Sequence, residues 1–94
     1  MVRNTILAAL RGDFGKEALP PLGTVVDDIY TVILCPVCSR KTLDNYSICR
    51  HCGWEYDGFG AEHFSAANGA TLEEYRRAYI RIRQEWNDEM LSDL

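Results

Sequence analysis

Residues 35–52 read CPVCSRKTLDNYSICRHC, and this segment contains all four cysteines of the chain as two CxxC pairs. Zn²⁺ in proteins takes four ligands in a tetrahedron, and a gap of two residues lets one tight turn present two sulfurs to one metal. Ten residues separate the pairs, enough for a short hairpin that returns the second pair to the first. The sequence therefore predicts one structural zinc ion, bound by Cys35, Cys38, Cys49 and Cys52.

The residue after each CxxC pair closes the metal turn, where a left-handed backbone is often required. Gly53 follows the second pair and suits that conformation, whereas Ser39 follows the first pair and suits it less well. The first turn is therefore less ideal for closing around a metal than the second.

Other uses of paired cysteines stay open from the sequence. A redox-active CxxC pair needs a surrounding βαβ pattern, which is absent, and two disulfides need an oxidising compartment. Four thiolates also suit iron. His51 lies inside the second pair, but four thiolates already complete the site, so we expect this histidine to be exposed or to support the ligands. A closed tetrathiolate leaves no position for a catalytic water.

The composition limits the class of protein. The chain has 94 residues, of which 47% are hydrophobic, and this size predicts a single domain. Its formal net charge of −4 argues against a general nucleic-acid binder, which usually has a basic face. No secretory signal and no apolar run of about 20 residues is evident, so we expect a cytoplasmic protein without a membrane partner.

The hydrophobic pattern predicts a small α+β domain built around a zinc ribbon. Residues 29–34 are rich in β-branched and aromatic side chains and predict a strand that leads into Cys35. Residues 41–43 and 46–48 predict a second and a third short antiparallel strand. The predicted divisions are an N-terminal helix and linker (1–28), the ribbon (29–57), a loop (58–70) and a C-terminal helix (71–92).

Two helices flank the predicted ribbon. Apolar residues at helical spacing predict a short helix over residues 2–10, which Gly12 ends. Thr71 and Glu74 form a capping-box pattern at the start of a second helix, over residues 72–91. One apolar stripe at intervals of three or four residues supports this helix: Leu72, Tyr75, Tyr79, Ile82, Trp86 and Met90.

Three segments of the chain together resemble the bacterial cysteine-rich CPCC family of small proteins: 35–38 (CPVC), 46–57 (YSICRHCGWEYD) and 67–79 (ANGATLEEYRRAY). The family name records a cysteine at the third place of the first motif, where this chain has Val37. A tetrahedral site does not need that sulfur. Some members resemble immunity proteins of bacterial toxin systems, so the resemblance implies a protein-binding role.

The leading hypothesis is accordingly an immunity protein that binds and neutralises a toxin domain. The predicted partner-binding residues form an aromatic and acidic group after the last cysteine: Trp54, Glu55, Asp57 and Glu62. Packing of Trp54 beneath the metal turn is the simpler alternative. A second acidic group lies near the C-terminus: Glu85, Asp88, Glu89 and Asp93.

A nucleic-acid-binding zinc ribbon with a regulatory role is the alternative function. Basic residues surround the metal turns and decorate the C-terminal helix: Arg40, Lys41, Arg50, Arg76, Arg77, Arg81 and Arg83. The basic residues near the metal turns and those on the helix would contact phosphates if both groups faced the same side. The net negative charge of the chain argues against this. We expect no enzymatic activity and no small-molecule substrate, because the chain has no phosphate loop, activated nucleophile or supported carboxylate pair.

Overall fold

The computed structural model describes residues 2–15, 17–58 and 60–92, the last three of these by their backbone alone. In chain order the elements are helix α1 (Val2–Arg11), strands β1 (Val25–Val26), β2 (Tyr30–Leu34) and β3 (Lys41–Leu43), and helix α2 (Leu72–Ser92). The predicted α+β class, with a short first helix, a ribbon-like strand region and a long second helix, is confirmed.

The three strands form an antiparallel sheet with β2 at its centre. Val25 of β1 pairs with Thr31, and Val32 pairs with Leu43 of β3. The β-branched and aromatic residues of β2 favour this extended, paired backbone. Residues 35–40 connect β2 to β3, so the first CxxC pair forms the loop of a hairpin whose strands hold its two ends together.

Strand β1 lies in the segment that the sequence assigned to a linker. Its two residues are too short a run for periodicity to reveal. Asp27 and Asp28 have positive φ (54° and 63°), and the Ile29 N–H donates to the Val26 carbonyl at 3.3 Å. Two consecutive left-handed residues match a type I′ hairpin turn, which commonly carries Asn-Gly or Asp-Gly. The Asp-Asp sequence therefore gave only a weak turn signal.

The predicted third strand over residues 46–48 is wrong. Asn45 and Tyr46 both have left-handed backbones (φ 55° and 64°), which interrupts an extended conformation at the start of that segment. Ile48 forms only an isolated antiparallel bridge with Glu55 across the second CxxC turn. The third member of the sheet is β1, which pairs with the opposite edge of β2.

Helix α1 packs against α2 and contributes to the core. Ile6 is completely buried and Ala9 nearly so. The helix ends at Gly12, whose φ of 85° lets its N–H donate to the Ala9 carbonyl, while the Asp13 N–H donates to the Ala8 carbonyl, both at 3.0 Å. This pair of bonds satisfies helix-end carbonyls in the manner of a Schellman motif.

Helix α2 begins with the predicted capping box. The Thr71 N–H donates to the Glu74 carboxylate at 2.9 Å, and the Glu74 N–H donates to the Thr71 hydroxyl at 3.2 Å. The predicted stripe is buried at Tyr75, Tyr79 and Ile82. It is half-buried at Leu72 and Trp86, and the Met90 side chain lies outside the described residues. Among the described residues, no helix combines the length and apolar character that a membrane span requires.

The core is a single cluster in which cysteine side chains meet side chains of both helices. Its buried members are Ile6, Cys35, Val37, Cys49, Cys52, Trp54, Ala70, Tyr75, Tyr79 and Ile82. Full burial of a side chain such as Ile6 or Ile82 contributes about 1.5–3 kcal/mol. A chain this short keeps few such residues, so the cysteine cluster occupies the place that larger apolar side chains fill in bigger domains.

Candidate metal centre

The two CxxC turns have the same backbone hydrogen bonds. In the first turn the Cys35 N–H donates to the Arg40 carbonyl at 2.8 Å, and the Ser39 N–H donates to the Cys35 carbonyl at 2.9 Å. In the second turn the Cys49 N–H donates to the Trp54 carbonyl and the Gly53 N–H to the Cys49 carbonyl, both at 2.8 Å. The chain thus builds one loop twice, and each copy presents two sulfurs.

Each loop closes on a left-handed residue, although serine suits that conformation less well than glycine. Ser39 has a φ of 61° and Gly53 a φ of 84°. Ser39 is exposed, so its side chain meets no packing conflict there. At Gly53 a Cβ would lie 2.7 Å from Thr5 Cγ2 and 3.0 Å from the Tyr75 hydroxyl. The second turn therefore requires glycine for close packing as well as for backbone conformation.

Backbone N–H groups within each loop point at a sulfur. The Val37 N–H lies 3.4 Å from Cys35 Sγ, and the His51 N–H lies 3.4 Å from Cys49 Sγ. Hydrogen bonds to the charged form of a ligand stabilise that form, here a thiolate. The loops thus support the first cysteine of each pair in the state that binds a metal.

The four sulfurs converge on one point. Cys35 Sγ lies 3.6 Å from Cys52 Sγ, and Cys38 Sγ lies 3.6 Å from Cys49 Sγ. All four Sγ atoms lie within 4.8 Å of one another, and none is in a disulfide. A Zn–S distance of about 2.3 Å in a tetrahedron places sulfurs about 3.8 Å apart. The cluster therefore has the donor set and the spacing for one metal ion.

Hydrogen bonds among the four sulfurs shift the pKa values of these thiols in opposite directions. Hydrogen bonding with Cys38 raises the pKa of Cys35, and hydrogen bonding with Cys35 raises the pKa of Cys52. Hydrogen bonding with Cys35 lowers the pKa of Cys49. Four anions at this separation need a compensating cation, and a divalent ion would hold all four as thiolates.

Helix α2 anchors the second turn from behind. The Tyr75 side chain is fully buried, and its hydroxyl donates to the Cys52 carbonyl at 2.7 Å. Burial raises the pKa of Tyr75, so the hydroxyl remains a donor. The Trp54 ring meets the Tyr75 ring edge to face, with centroids 5.1 Å apart. This arrangement fixes the last cysteine relative to the helix.

The family model described as cysteine-rich CPCC matches residues 33–89, which include both cysteine turns and nearly all of α2. The chain belongs to the cysteine-rich CPCC family. No curated protein and no solved structure matches it at a significant level. At the third place of the motif, where the CPCC name records a cysteine, Val37 is buried in the core and donates its N–H to Cys35 Sγ. The cluster of four sulfurs is complete without that residue.

The predicted partner-binding residues lie in different environments. Trp54 is only 5% exposed, because its ring packs under the second turn against Tyr75. This burial agrees with the packing alternative, and the docking role of Trp54 stays a prediction. Glu55 and Asp57 are half-buried, whereas Glu62 is exposed. Of the C-terminal acids, Glu85 pairs with Arg3 at 3.2 Å, and Asp93 lies outside the described residues.

Asn68 is a supporting residue that sequence reasoning did not identify beyond its Asn-Gly turn. Its Oδ1 accepts from the Glu55 N–H at 2.7 Å, and its Nδ2 donates to the Glu55 carbonyl at 2.9 Å and to Ser65 Oγ at 2.8 Å. The Asn68 amide thus satisfies both the N–H and the carbonyl of Glu55, as a neighbouring strand does in a β-sheet. This contact fastens the segment over residues 65–68 to the ribbon.

Several basic side chains donate hydrogen bonds to backbone carbonyls. Arg76 donates to the Pro36 carbonyl, which joins α2 to the first turn. Lys41 Nζ donates to the carbonyl of Leu19 at 2.9 Å, and Arg50 donates to that of Glu17. These contacts attach the residues before β1 to the metal turns. Side chains that the sequence suggested for phosphate contacts therefore also hold the fold together.

Proposed function

We propose that this CPCC protein is a protein-binding module stabilised by one structural Zn²⁺, and that it acts as an immunity protein against a cognate bacterial toxin. The protein-binding part rests on exposed apolar side chains at one end of the ribbon. The zinc part rests on the donor set and spacing of the four sulfurs. The toxin part rests on the family resemblance and on the acidic charge of the chain.

Zinc would serve the fold and not a reaction. Cys35, Cys49 and Cys52 are buried, and Cys38 is half-buried. Four protein thiolates fill a tetrahedron and leave no position for water or substrate. The ion would supply folding free energy and fix the two turns relative to α2.

The docking surface that we propose is the ribbon tip, defined as Val25, Ile29 and Tyr46. These side chains are 62%, 59% and 62% exposed. Asn45 Nδ2 donates to the Ile29 carbonyl at 3.3 Å, which brings the turn that carries Tyr46 to the β1–β2 hairpin. Exposed apolar and aromatic side chains grouped in this way are typical of interfaces with other proteins.

Charge supplies the second element of the proposal. The chain has a formal net charge of −4, and Glu62 is exposed on the loop after the second turn. Carboxylates on a binding protein accelerate association with a basic partner such as a nucleic-acid-cleaving domain. We therefore expect the partner to carry a basic surface around an apolar patch.

Co-expression with the product of the neighbouring gene tests the proposal. We expect a stable complex and protection from growth arrest, and we expect both to be lost in Ile29→Arg. Ile80→Arg is a matched control, because Ile80 lies on α2 and is also 59% exposed. Absence of a complex with the wild-type chain would refute the proposed role. Equal loss of complex formation in Ile29→Arg and Ile80→Arg would refute the proposed surface.

A further inference from the structure

A cleft lies between the end of α1, the second metal turn and α2. Its volume is about 390 Å³, within the range of small-molecule sites. Four arginines line it, contributed by four separate parts of the chain: Arg11, Arg40, Arg50 and Arg83. The fold thus gathers arginines from both CxxC regions and both helices at one concave site.

The cleft is strongly basic in an otherwise acidic protein. No aspartate or glutamate is among its described lining residues, although the chain has 14 acidic residues. Arg11 is partly neutralised by Asp13, at 3.0 Å. Across residues 2–15, 17–58 and 60–92, neither Arg40 nor Arg83 forms an ion pair with a carboxylate. A concentration of guanidinium groups in a cavity, most of them without a carboxylate partner, attracts and focuses anions.

Two of the arginines are held in place before any ligand binds. Arg50 donates to the Glu17 carbonyl, and the Arg83 guanidinium lies 6.0 Å from the centroid of the Tyr79 ring. Each interaction uses only part of the guanidinium, which has five N–H donors. At the end of α1 the carbonyl of Ala9, one of the lining residues, already accepts a hydrogen bond from the Gly12 N–H at 3.0 Å. Such preorganisation lowers the entropic cost of binding.

We propose that this cleft binds the phosphate groups of a small nucleoside diphosphate or triphosphate. Guanidinium groups recognise phosphate oxygens through paired, charge-assisted hydrogen bonds. The half-buried Trp86 lines the same cavity and is the side chain that we expect to contact the base. A second cavity of about 420 Å³ shares Arg40 and His51 with the cleft, but it is also lined by Glu17 and is not part of the proposed site.

Isothermal titration calorimetry at low ionic strength tests the proposal with ADP, ATP, pyrophosphate and a short single-stranded oligonucleotide. We expect ADP and ATP to bind more tightly than pyrophosphate, because the ring adds contacts. Arg40→Gln and Arg83→Gln should each weaken nucleotide binding about tenfold or more, since each removes charge-assisted hydrogen bonds. Arg81→Gln is the charge-matched control, because Arg81 is exposed on α2 and does not line the cleft.

The outcomes separate the sources of a phosphate ligand. Zinc content and far-ultraviolet circular dichroism establish that each variant is folded. No nucleotide binding at millimolar concentration, or equal weakening by Arg81→Gln, would overturn the proposal. Preferential binding of the oligonucleotide would overturn it as well, and would assign the cleft to a nucleic acid. The proposal is independent of the toxin hypothesis, which co-expression of Ile29→Arg and its control Ile80→Arg tests.

Discussion

Replacement of Gly53 by alanine tests how closely the second metal turn packs against the helices. A left-handed φ of 84° costs an alanine about 1–2 kcal/mol. The new Cβ would lie 2.7 Å from Thr5 Cγ2 and 3.0 Å from both the Thr5 carbonyl oxygen and the Tyr75 hydroxyl. The carbonyl belongs to α1, so the helix must shift, and overpacking of this kind adds about 1–3 kcal/mol. We expect a total loss of about 2–5 kcal/mol in the free energy of unfolding.

Gly23→Ala separates the two contributions. Gly23 has nearly the same φ, 85°, but a Cβ there meets no atom within 4 Å. This control should lose only the conformational contribution of about 1–2 kcal/mol. The difference between the two variants then measures the contact of the turn with α1 and Tyr75.

Guanidinium denaturation followed by circular dichroism provides the measurement. Free zinc must be buffered at one concentration, because a metal that binds only the folded chain adds to the measured stability. The argument for close packing fails if Gly53→Ala is no more destabilising than Gly23→Ala.

Four further substitutions test other contacts. Tyr75→Phe should lower the free energy of unfolding by about 1–3 kcal/mol, because a buried carbonyl loses its donor; an unchanged denaturation midpoint would contradict this. Asn68→Ala should speed hydrogen exchange at the Glu55 amide, and wild-type protection in the variant would show that Asn68 does not fasten the loop. Ser39→Gly should raise stability by about 1 kcal/mol, because glycine tolerates φ of 61°; a lower stability would count against a strained first turn. Cys49→Ser should leave the chain unfolded or aggregated, and a well-folded metal-free variant would contradict a structural role for the metal.

The sequence predicted features that depend on neighbouring residues. Each CxxC pair fixes two sulfurs through one short loop, so the cluster and the left-handed Gly53 follow from spacing and turn chemistry. The capping box at Thr71 and the apolar stripe of α2 are equally local, and the helix begins where the pattern indicates. Local constraints of this kind can be predicted from the sequence because they do not depend on the rest of the fold.

The features that sequence reasoning missed depend on contacts between distant segments. Trp54 suits an interface by residue type, and only its packing against Tyr75 assigns it to the core. Asn68 signals a turn, whereas its bonds to Glu55 arise from how the loop folds back. The arginine cleft likewise unites residues up to 72 positions apart, from Arg11 to Arg83. No pattern within one segment contains that information.

The metal and thiol content of the natively purified chain tests the central claim most directly. Mass spectrometry of the elements gives the metal per chain, and thiol titration after denaturation with a chelator gives the state of the sulfurs. We predict one zinc ion per chain and four free thiols, from Cys35, Cys38, Cys49 and Cys52. A folded chain without stoichiometric metal, with iron in place of zinc, or with these cysteines joined as disulfides would contradict the account.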